Sequence, residues 1–227
     1  MILKPMKSYR LLKEKLISQI KIPMKKIFII TLLFPFFCIS QDFNAGIISG
    51  FSTSQVSGDQ LSGFNKVGPR IGFFVNRNIN WYTLQLELQY ISKGSKKIIN
   101  TSQSPYLDNA YTSYINDYQF HLDYIGIPIS IHSNITKKIT LETGNSINIL
   151  IRQKEEIDFY IDNSREVNKL EYCYFIGLFW DINNQYSINI RLSNSILPIR
   201  KHSSGQTYRW NRGQYNTTLS FTLFYYI

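Results

Sequence analysis

The chain has 227 residues and a formal net charge of +10, from 25 Lys or Arg against 15 Asp or Glu. Residues 1–40 carry eight Lys or Arg and one Glu, so the remaining chain has a net charge of only +3. That balance excludes a nucleic-acid-binding protein, which needs a basic surface on the folded domain. A hydrophobic content of 44% excludes a disordered chain, and the lack of any apolar run of about eighteen residues excludes a helical membrane protein.

The N-terminus has the organisation of a secretory signal peptide. Met24 precedes two lysines, an uncharged run at 27–39, and Ser40. A basic start, an apolar stretch of about 7–15 residues and a small residue before the cleavage point define such a leader. We therefore expect Met24 to be the true start and cleavage to follow Ser40. Residues 1–40 would then be an extended basic region plus signal peptide, and 41–227 the mature domain.

Cysteine and histidine are scarce. Cys38 precedes the expected cleavage point and Cys173 follows it, so the mature chain would hold one thiol and no internal disulfide. Cys38 is a poor lipid-attachment site because Phe37 stands where a small residue is needed. The three histidines leave too little material for a zinc site, and we expect no metal or other cofactor. They are His121, His132 and His202.

From residue 43 onward, polar and apolar residues alternate with the period of a β-strand. The clearest segment is 81–92, where Tyr and Leu at even positions alternate with Thr, Gln and Glu at odd ones. Pro128 has no amide hydrogen and should interrupt the hydrogen bonding of one strand. The alternation predicts eight strands, at 43–54, 70–76, 81–92, 118–132, 139–152, 169–181, 186–196 and 214–227.

The connections between these segments alternate between long and short. The short ones have about four to six residues and use Asn, Ser and Lys, which tolerate turn geometry. The long ones have about 15 to 25 residues, well beyond ordinary hairpin loops. Long external loops on one rim and short periplasmic turns on the other are typical of a transmembrane β-barrel. The predicted fold class is all-β, an eight-stranded antiparallel up-and-down transmembrane β-barrel preceded by a signal peptide.

Alternation alone does not decide which face of the sheet meets lipid. If the apolar face does, Glu87, Glu142 and Arg191 point inward, because they lie on the polar faces of three predicted strands. An eight-stranded interior is just wide enough to be filled by side chains, so we interpret these three residues as an ionic network that closes the lumen. Tyrosines recur near strand ends, where membrane barrels place aromatic girdles. The predicted girdle comprises Tyr82, Tyr90, Tyr172, Tyr186 and Tyr225.

Several stretches resemble the PorT-type outer-membrane β-barrel family of Bacteroidota. They are Val56-Ser57-Gly58-Asp59, Ser62-Gly63-Phe64-Asn65-Lys66 with Gly68, Ile71-Gly72-Phe73-Phe74-Val75, Leu84-Gln85-Leu86-Glu87-Leu88-Gln89-Tyr90, Ser92-Lys93-Gly94, Leu122-Asp123-Tyr124-Ile125-Gly126-Ile127-Pro128, and Lys137-Lys138 with Leu141-Glu142 and Gly144. The resemblance implies an integral outer-membrane protein. The resemblance is also compatible with a role in secretion, because a member of that family takes part in protein secretion and gliding. The chain departs from the family pattern at Ile227, where an aromatic residue is commoner.

The sequence shows no catalytic constellation. The histidines lie in three separate segments outside any nucleophile motif. A run of acidic residues lacks the spacing of a calcium-binding loop and is expected in a solvated loop. Its members are Glu155, Glu156, Asp158 and Asp162.

We therefore predict a non-enzymatic outer-membrane barrel with a closed lumen, whose long loops bind a partner. Its expected contacts are outer-membrane lipid, lipopolysaccharide, the barrel insertion machinery and a protein partner, with no nucleic acid. Two alternatives stay open at this point. One is a soluble secreted barrel that encloses a small apolar ligand, and the other is a lipid-modifying outer-membrane enzyme.

Overall fold

The computed structural model describes residues 43–59, 61, 63–97, 117–162, 164–202 and 212–227. Eight long antiparallel strands follow one another around a barrel, and the last pairs with the first, so the sheet is closed. A ninth strand, β6, has two residues and pairs only with the end of β5. The strands are β1 (Phe43–Ser57), β2 (Lys66–Ile79), β3 (Tyr82–Lys96), β4 (Tyr118–Asn134), β5 (Ile139–Ile157), β6 (Tyr160–Ile161), β7 (Leu170–Asp181), β8 (Tyr186–Ser195) and β9 (Tyr215–Tyr226). The predicted eight-stranded antiparallel barrel is confirmed. Within the described residues, no helix has the length and apolar character needed to cross a membrane.

Tight turns join the strands at one end of the barrel, which we call the turn end. Asn80 leads the turn between β2 and β3 with a φ of 49°, a left-handed conformation that asparagine tolerates better than most residues. Between β7 and β8, the side-chain oxygen of Asn183 accepts hydrogen bonds from the backbone amides of Gln185 and Tyr186 at 2.8 and 2.9 Å. Such side-chain-to-backbone bonds fix tight turns. The Asn-rich short segments therefore form turns, as expected.

The other end, which we call the loop end, carries the longer connections. They span 58–65, 97–117, 158–169 and 196–214. Several strands are longer than the alternation predicted, since β2 begins at Lys66 and β5 continues to Ile157. The first long connection is correspondingly shorter than expected.

Apolar side chains face outward and polar side chains face inward. In β3, Leu84, Leu86 and Leu88 are 40–54% exposed, whereas Gln85, Glu87 and Gln89 between them are 0–6% exposed. The same alternation holds along β5, β8 and β9. A soluble barrel has the opposite arrangement, so the reading as a soluble barrel around an apolar cavity is wrong. An apolar exterior is what a barrel in lipid requires.

Pro128 lies at an interruption in the pairing of β3 with β4. The register passes from Leu86 opposite Ile129 to Gln89 opposite Gly126, without pairs between them. A residue without an amide hydrogen fits this gap, because no ladder hydrogen bond is lost there.

The end of β3 leans across the barrel interior. Its pairing with β2 stops at Ile91, and the residues from there to Ser95 are all buried instead of alternating. The hydroxyls of Ser52 and Ser54 on β1 donate to backbone oxygens of this segment at 3.0 Å, bridging from a strand that is not its neighbour. Gly94 has a φ of +136°, and a Cβ there would lie 1.8 Å from the backbone oxygen of Phe120, so only glycine fits.

Candidate functional site

A cluster of buried charges lies in the interior on the turn side of the barrel, centred on Arg191. Its Nη1 and Nη2 donate to Glu87 Oε2 and Oε1 at 3.0 and 2.6 Å. Its Nε donates to Glu142 Oε2 at 3.0 Å, and Nη2 also binds Glu142 Oε1. The three residues are buried and come from β8, β3 and β5. The structure thus brings together the three charged residues that the sequence singled out.

Gly177 makes room for this cluster. It lies on β7, between Glu142 of β5 and Arg191 of β8 in the sheet register. A Cβ at this position would lie 2.6 Å from Glu142 Oε2. The close approach of the carboxylate therefore depends on the missing side chain.

Arg70 is a fourth charged member of this cluster, and it was not among the predicted residues. Its Nη2 donates to Glu87 Oε2 at 3.1 Å, and its Nε donates to Gln89 at 2.7 Å. Together with Arg191 it gives two cations against two carboxylates, so the cluster is charge-balanced as buried charges must be. The alternation of polar and apolar residues could have identified Arg70 as an interior residue, because Arg70 shares the inward face of β2 with Phe74.

A serine and a histidine also meet this cluster. His132 Nε2 lies 2.9 Å from Ser130 Oγ and 3.4 Å from Glu142 Oε1. A nucleophilic triad uses the two ring nitrogens separately, one toward the hydroxyl and one toward the carboxylate. Here the same nitrogen faces both groups, and Ser130 is buried, so the arrangement does not form such a relay.

A second buried ion pair lies in the loop-side half of the barrel. Lys93 Nζ donates to Glu171 Oε2 at 2.7 Å, joining β3 to β7. The side-chain amides of Asn148 and Asn216 donate to the same carboxylate at 2.7 and 2.6 Å. Cys173, the one cysteine of the described residues, is buried beside Lys93 at 3.7 Å. This pair was not predicted, because Lys93 falls one residue beyond the predicted strand.

A third ion pair stands at the loop end. Arg200 binds both carboxylate oxygens of Glu155, and Tyr118 donates to Glu155 Oε1 at 2.6 Å. Burial raises the pKa of Glu155, but the hydrogen bonds from Arg200 and Tyr118 lower it more, so the pKa lies below its usual range.

The expectation that Glu155 and Glu156 belong to a solvated loop is wrong, because β5 extends through both. Glu155 points inward and is buried.

Two apolar clusters also lie in the described interior. Near the turn end, three phenylalanine rings pack edge to face or tilted at centroid distances of 4.8–5.1 Å. A larger cluster occupies the loop side. The turn-end cluster contains Ile48, Phe74, Phe179 and Phe224. The loop-side cluster contains Val56, Ile91, Tyr118, Phe120, Leu122, Tyr124, Val167 and Ile199.

The five predicted girdle tyrosines are divided between the two halves of the barrel. Tyr82, Tyr186 and Tyr225 are at the turn end, where the rings of Tyr186 and Tyr225 are 5.2 Å apart. Tyr90 and Tyr172 lie toward the loop end. Two exposed tryptophans of the turn end, Trp81 and Trp180, were not singled out from the sequence.

The remaining candidate groups are scattered. His121 lies half-buried in β4, and His202 lies in the connection after β8, far from His132 in sequence. Among the residues that the structure describes, no group of three or more His, Cys, Asp or Glu side chains is placed to hold a metal ion.

Similar proteins were identified at the level of family and of fold. Residues 39–226 match the family described as outer membrane protein beta-barrel domain. Ail, the attachment invasion locus protein of Yersinia pestis, is 12% identical with a TM-score of 0.47, covering 81% of this chain and 98% of its own.

Neisserial surface protein A is 10% identical with a TM-score of 0.45, and the match covers 81% of this chain and 96% of that protein. OprG from Pseudomonas aeruginosa is 9% identical with a TM-score of 0.37, and the match covers 82% of this chain and 97% of that protein. No curated protein matches the chain. The family match spans nearly the whole barrel, and the chain belongs to the outer membrane protein beta-barrel domain family, whose members reside in the bacterial outer membrane.

Proposed function

We propose that this outer-membrane protein is a non-enzymatic barrel with a closed lumen, which serves to display its long loops for binding. The observation that carries the proposal is the contact of Arg191 with both Glu87 and Glu142 across the interior. Because these residues come from three strands, the ion pairs span the lumen rather than line one wall. The apolar clusters on either side support the same conclusion.

The charges of the interior are those of a filled core and not of a conducting pore. A pore needs a water-filled path lined by groups that bind ions weakly enough to release them. Here Arg191, Lys93 and Arg200 are each bound to a buried carboxylate. Eight strands give an interior that side chains alone can fill, so the closed lumen follows from barrel size and from side-chain pairing together.

Ion flux across liposomes tests the closed lumen. Protein that shows a folded, heat-modifiable band is reconstituted into liposomes loaded with a potassium-sensitive dye. We expect efflux no faster than from protein-free liposomes. Efflux that rises with the amount of folded protein would contradict the proposal.

We infer that the loop end faces the cell exterior and carries any partner-binding site, whether for a protein or for another surface. The support is the asymmetry of the connections, which is typical of outer-membrane barrels. An epitope tag inserted after Lys201 should bind antibody on intact cells, because insertions in exposed loops are tolerated. The same tag after Asn184, in a tight turn, should require permeabilised cells. The reverse pattern would invert the proposed orientation.

The lipid-modifying alternative rests on Ser130, His132 and Glu142, a set of catalytic residue types that the described interior brings together. Its geometry does not form a relay, and its hydroxyl is buried. Lipid A from a deletion strain complemented with parent or with Ser130→Ala protein should have identical mass spectra. A modification that only the parent restores would establish an enzyme.

We further propose the finer assignments made from the sequence. They are a PorT-type protein of Bacteroidota with a secretion-associated role, a signal peptide cleaved after Ser40 with Met24 as the start, and a tyrosine girdle at the two rims. The mass of the mature N-terminal peptide tests the cleavage point. A mature chain beginning elsewhere than Gln41 would correct it.

A further inference from the structure

The outward face of β4 and β5 changes from apolar to charged near the loop end. Ile125 stands opposite Ile149 in the sheet register, and both face outward. The outward pairs that follow toward the loop end are Asp123 with Arg152 and then His121 with Lys154. The polar surface therefore begins where the apolar surface ends, at the height expected for lipid headgroups.

Three exposed cations lie on this face, and we call them, with two carboxylates, the cationic surface. Lys96 of β3 stands opposite Gln119 of β4, which stands opposite Glu156 of β5, so the exposed Lys96 adjoins the same stretch of sheet. Two acidic groups lie among three cations, which leaves a net charge of +1. The cationic surface consists of Lys96, Arg152, Lys154, Asp123 and Glu156.

The carboxylates hold the cations in place without covering them. Asp123 is buried and accepts a hydrogen bond from Arg152 Nε at 2.7 Å, while 69% of the Arg152 side chain is exposed. Glu156 binds Lys154 at 2.5 Å, and 45% of the Lys154 side chain is exposed. A guanidinium anchored through Nε presents its remaining nitrogens as a planar fork, which matches the oxygens of a phosphate.

We propose that the cationic surface binds the phosphate of a lipid headgroup in the outer leaflet. This inference rests on the proposed orientation of the loop end toward the exterior. The phosphate would meet Arg152 and Lys154, with Lys96 beside them, and the acyl chains would pack on the isoleucines below.

The adjoining apolar surface is what favours a lipid over a soluble anion. Ile127, Ile149 and Ile151 are each at least 41% exposed and lie immediately below the charges. One lipid molecule can contact both the cations and the adjoining apolar surface, whereas a free phosphate can contact only the cations. Cations close to an anionic membrane surface each add about fivefold to binding.

Lipid binding is measured with folded protein in a zwitterionic detergent. The probe is lipid A that carries its phosphates, compared with the same lipid after enzymatic removal of phosphate, each displacing a fluorescent analogue. The test variant combines Arg152→Gln with Lys154→Gln. The matched control combines Lys137→Gln with Lys138→Gln, two exposed cations at the turn end.

We expect the phosphorylated lipid to bind more tightly than the dephosphorylated one, and the test variant to lose at least about tenfold of that affinity. The control should bind as the parent does. Equal affinity for the two lipids, or an equal loss in test and control variants, would overturn the proposal. So would competition by inorganic phosphate as effective as that of the phosphorylated lipid.

Each protein must first show the heat-dependent mobility shift of a folded barrel, which separates loss of binding from loss of folding. If the double variant fails this criterion, Lys154→Gln alone is used against Lys138→Gln. A conducting lumen would refute the closed barrel and leave the lipid result standing. Failure of lipid binding would leave the closed barrel standing.

Discussion

Replacing Arg191 with methionine should destabilise the barrel strongly, because it leaves buried carboxylates without their principal partner. Arg191 makes four charge-assisted hydrogen bonds to Glu87 and Glu142 and stacks over Phe175 at 4.2 Å. The two carboxylates do not lose all of their cationic partners in this variant, because Glu87 keeps its ion pair with Arg70. Removing one partner of a buried ion pair costs about 3–5 kcal/mol in the free energy of unfolding. We expect that range for Arg191→Met.

Urea unfolding in lipid vesicles, followed by the loss of the heat-modifiable band, measures this change. Arg77→Met is the matched control, because Arg77 is exposed at the turn end and lies 5.7 Å from the Phe43 ring centroid, and an exposed cation–π contact contributes about 0.5–1 kcal/mol. A double variant, Arg191→Met with Glu142→Gln, should be less destabilised than the sum of the two single variants, since it removes opposite charges together. If Arg191→Met unfolds at the same urea concentration as Arg77→Met, the ionic cluster does not stabilise the barrel and the reasoning fails.

Three further predictions concern other parts of the interior. Cys173 is buried, so a maleimide should modify it only after unfolding, as read by peptide mass, and rapid modification of the folded barrel would show an open lumen. Gly94→Ala should destabilise by at least about 1–3 kcal/mol because of its positive φ and its approach to Phe120, and an unchanged urea midpoint would contradict the observed bend of β3. The folded pKa of Glu155 lies below its unfolded value, so its pairing stabilises the barrel above about pH 4.3 and is lost as pH falls through the folded pKa. The parent should therefore lose more stability below about pH 4 than Arg200→Met does, and equal losses would show that this pair is not the source.

Much of the fold could be predicted because lipid imposes a strict alternation on the strands that cross it. Leu84, Leu86 and Leu88 must face lipid, which places Glu87 inside. Once Glu142 and Arg191 are placed inside by the same rule, burial requires the three charges to pair. The pairing of these three charges could therefore be predicted from two things alone, the two-residue period of the sequence and the unfavourable free energy of an unpaired buried charge.

The interior beyond the lipid-facing zone could not be predicted in the same way. Above that zone, strands no longer need an apolar outer face, so the alternation weakens and the predicted strands end too early. Lys93 and Glu155 lie in such extensions, and their partners Glu171 and Arg200 could not be assigned without the register. The aromatic cluster around Phe74 was also not predicted. The inward face of a membrane barrel is expected to be polar, but near the barrel ends apolar side chains also face inward.

Single-channel recording in planar bilayers measures whether side chains close the lumen of this barrel. Folded parent protein is added to one side of the bilayer under a sustained voltage, with the Arg191→Met variant measured in parallel. We expect no stepwise conductance for the parent, because buried ion pairs and apolar clusters occupy its described interior. Stable, stepwise current through the parent protein would contradict it.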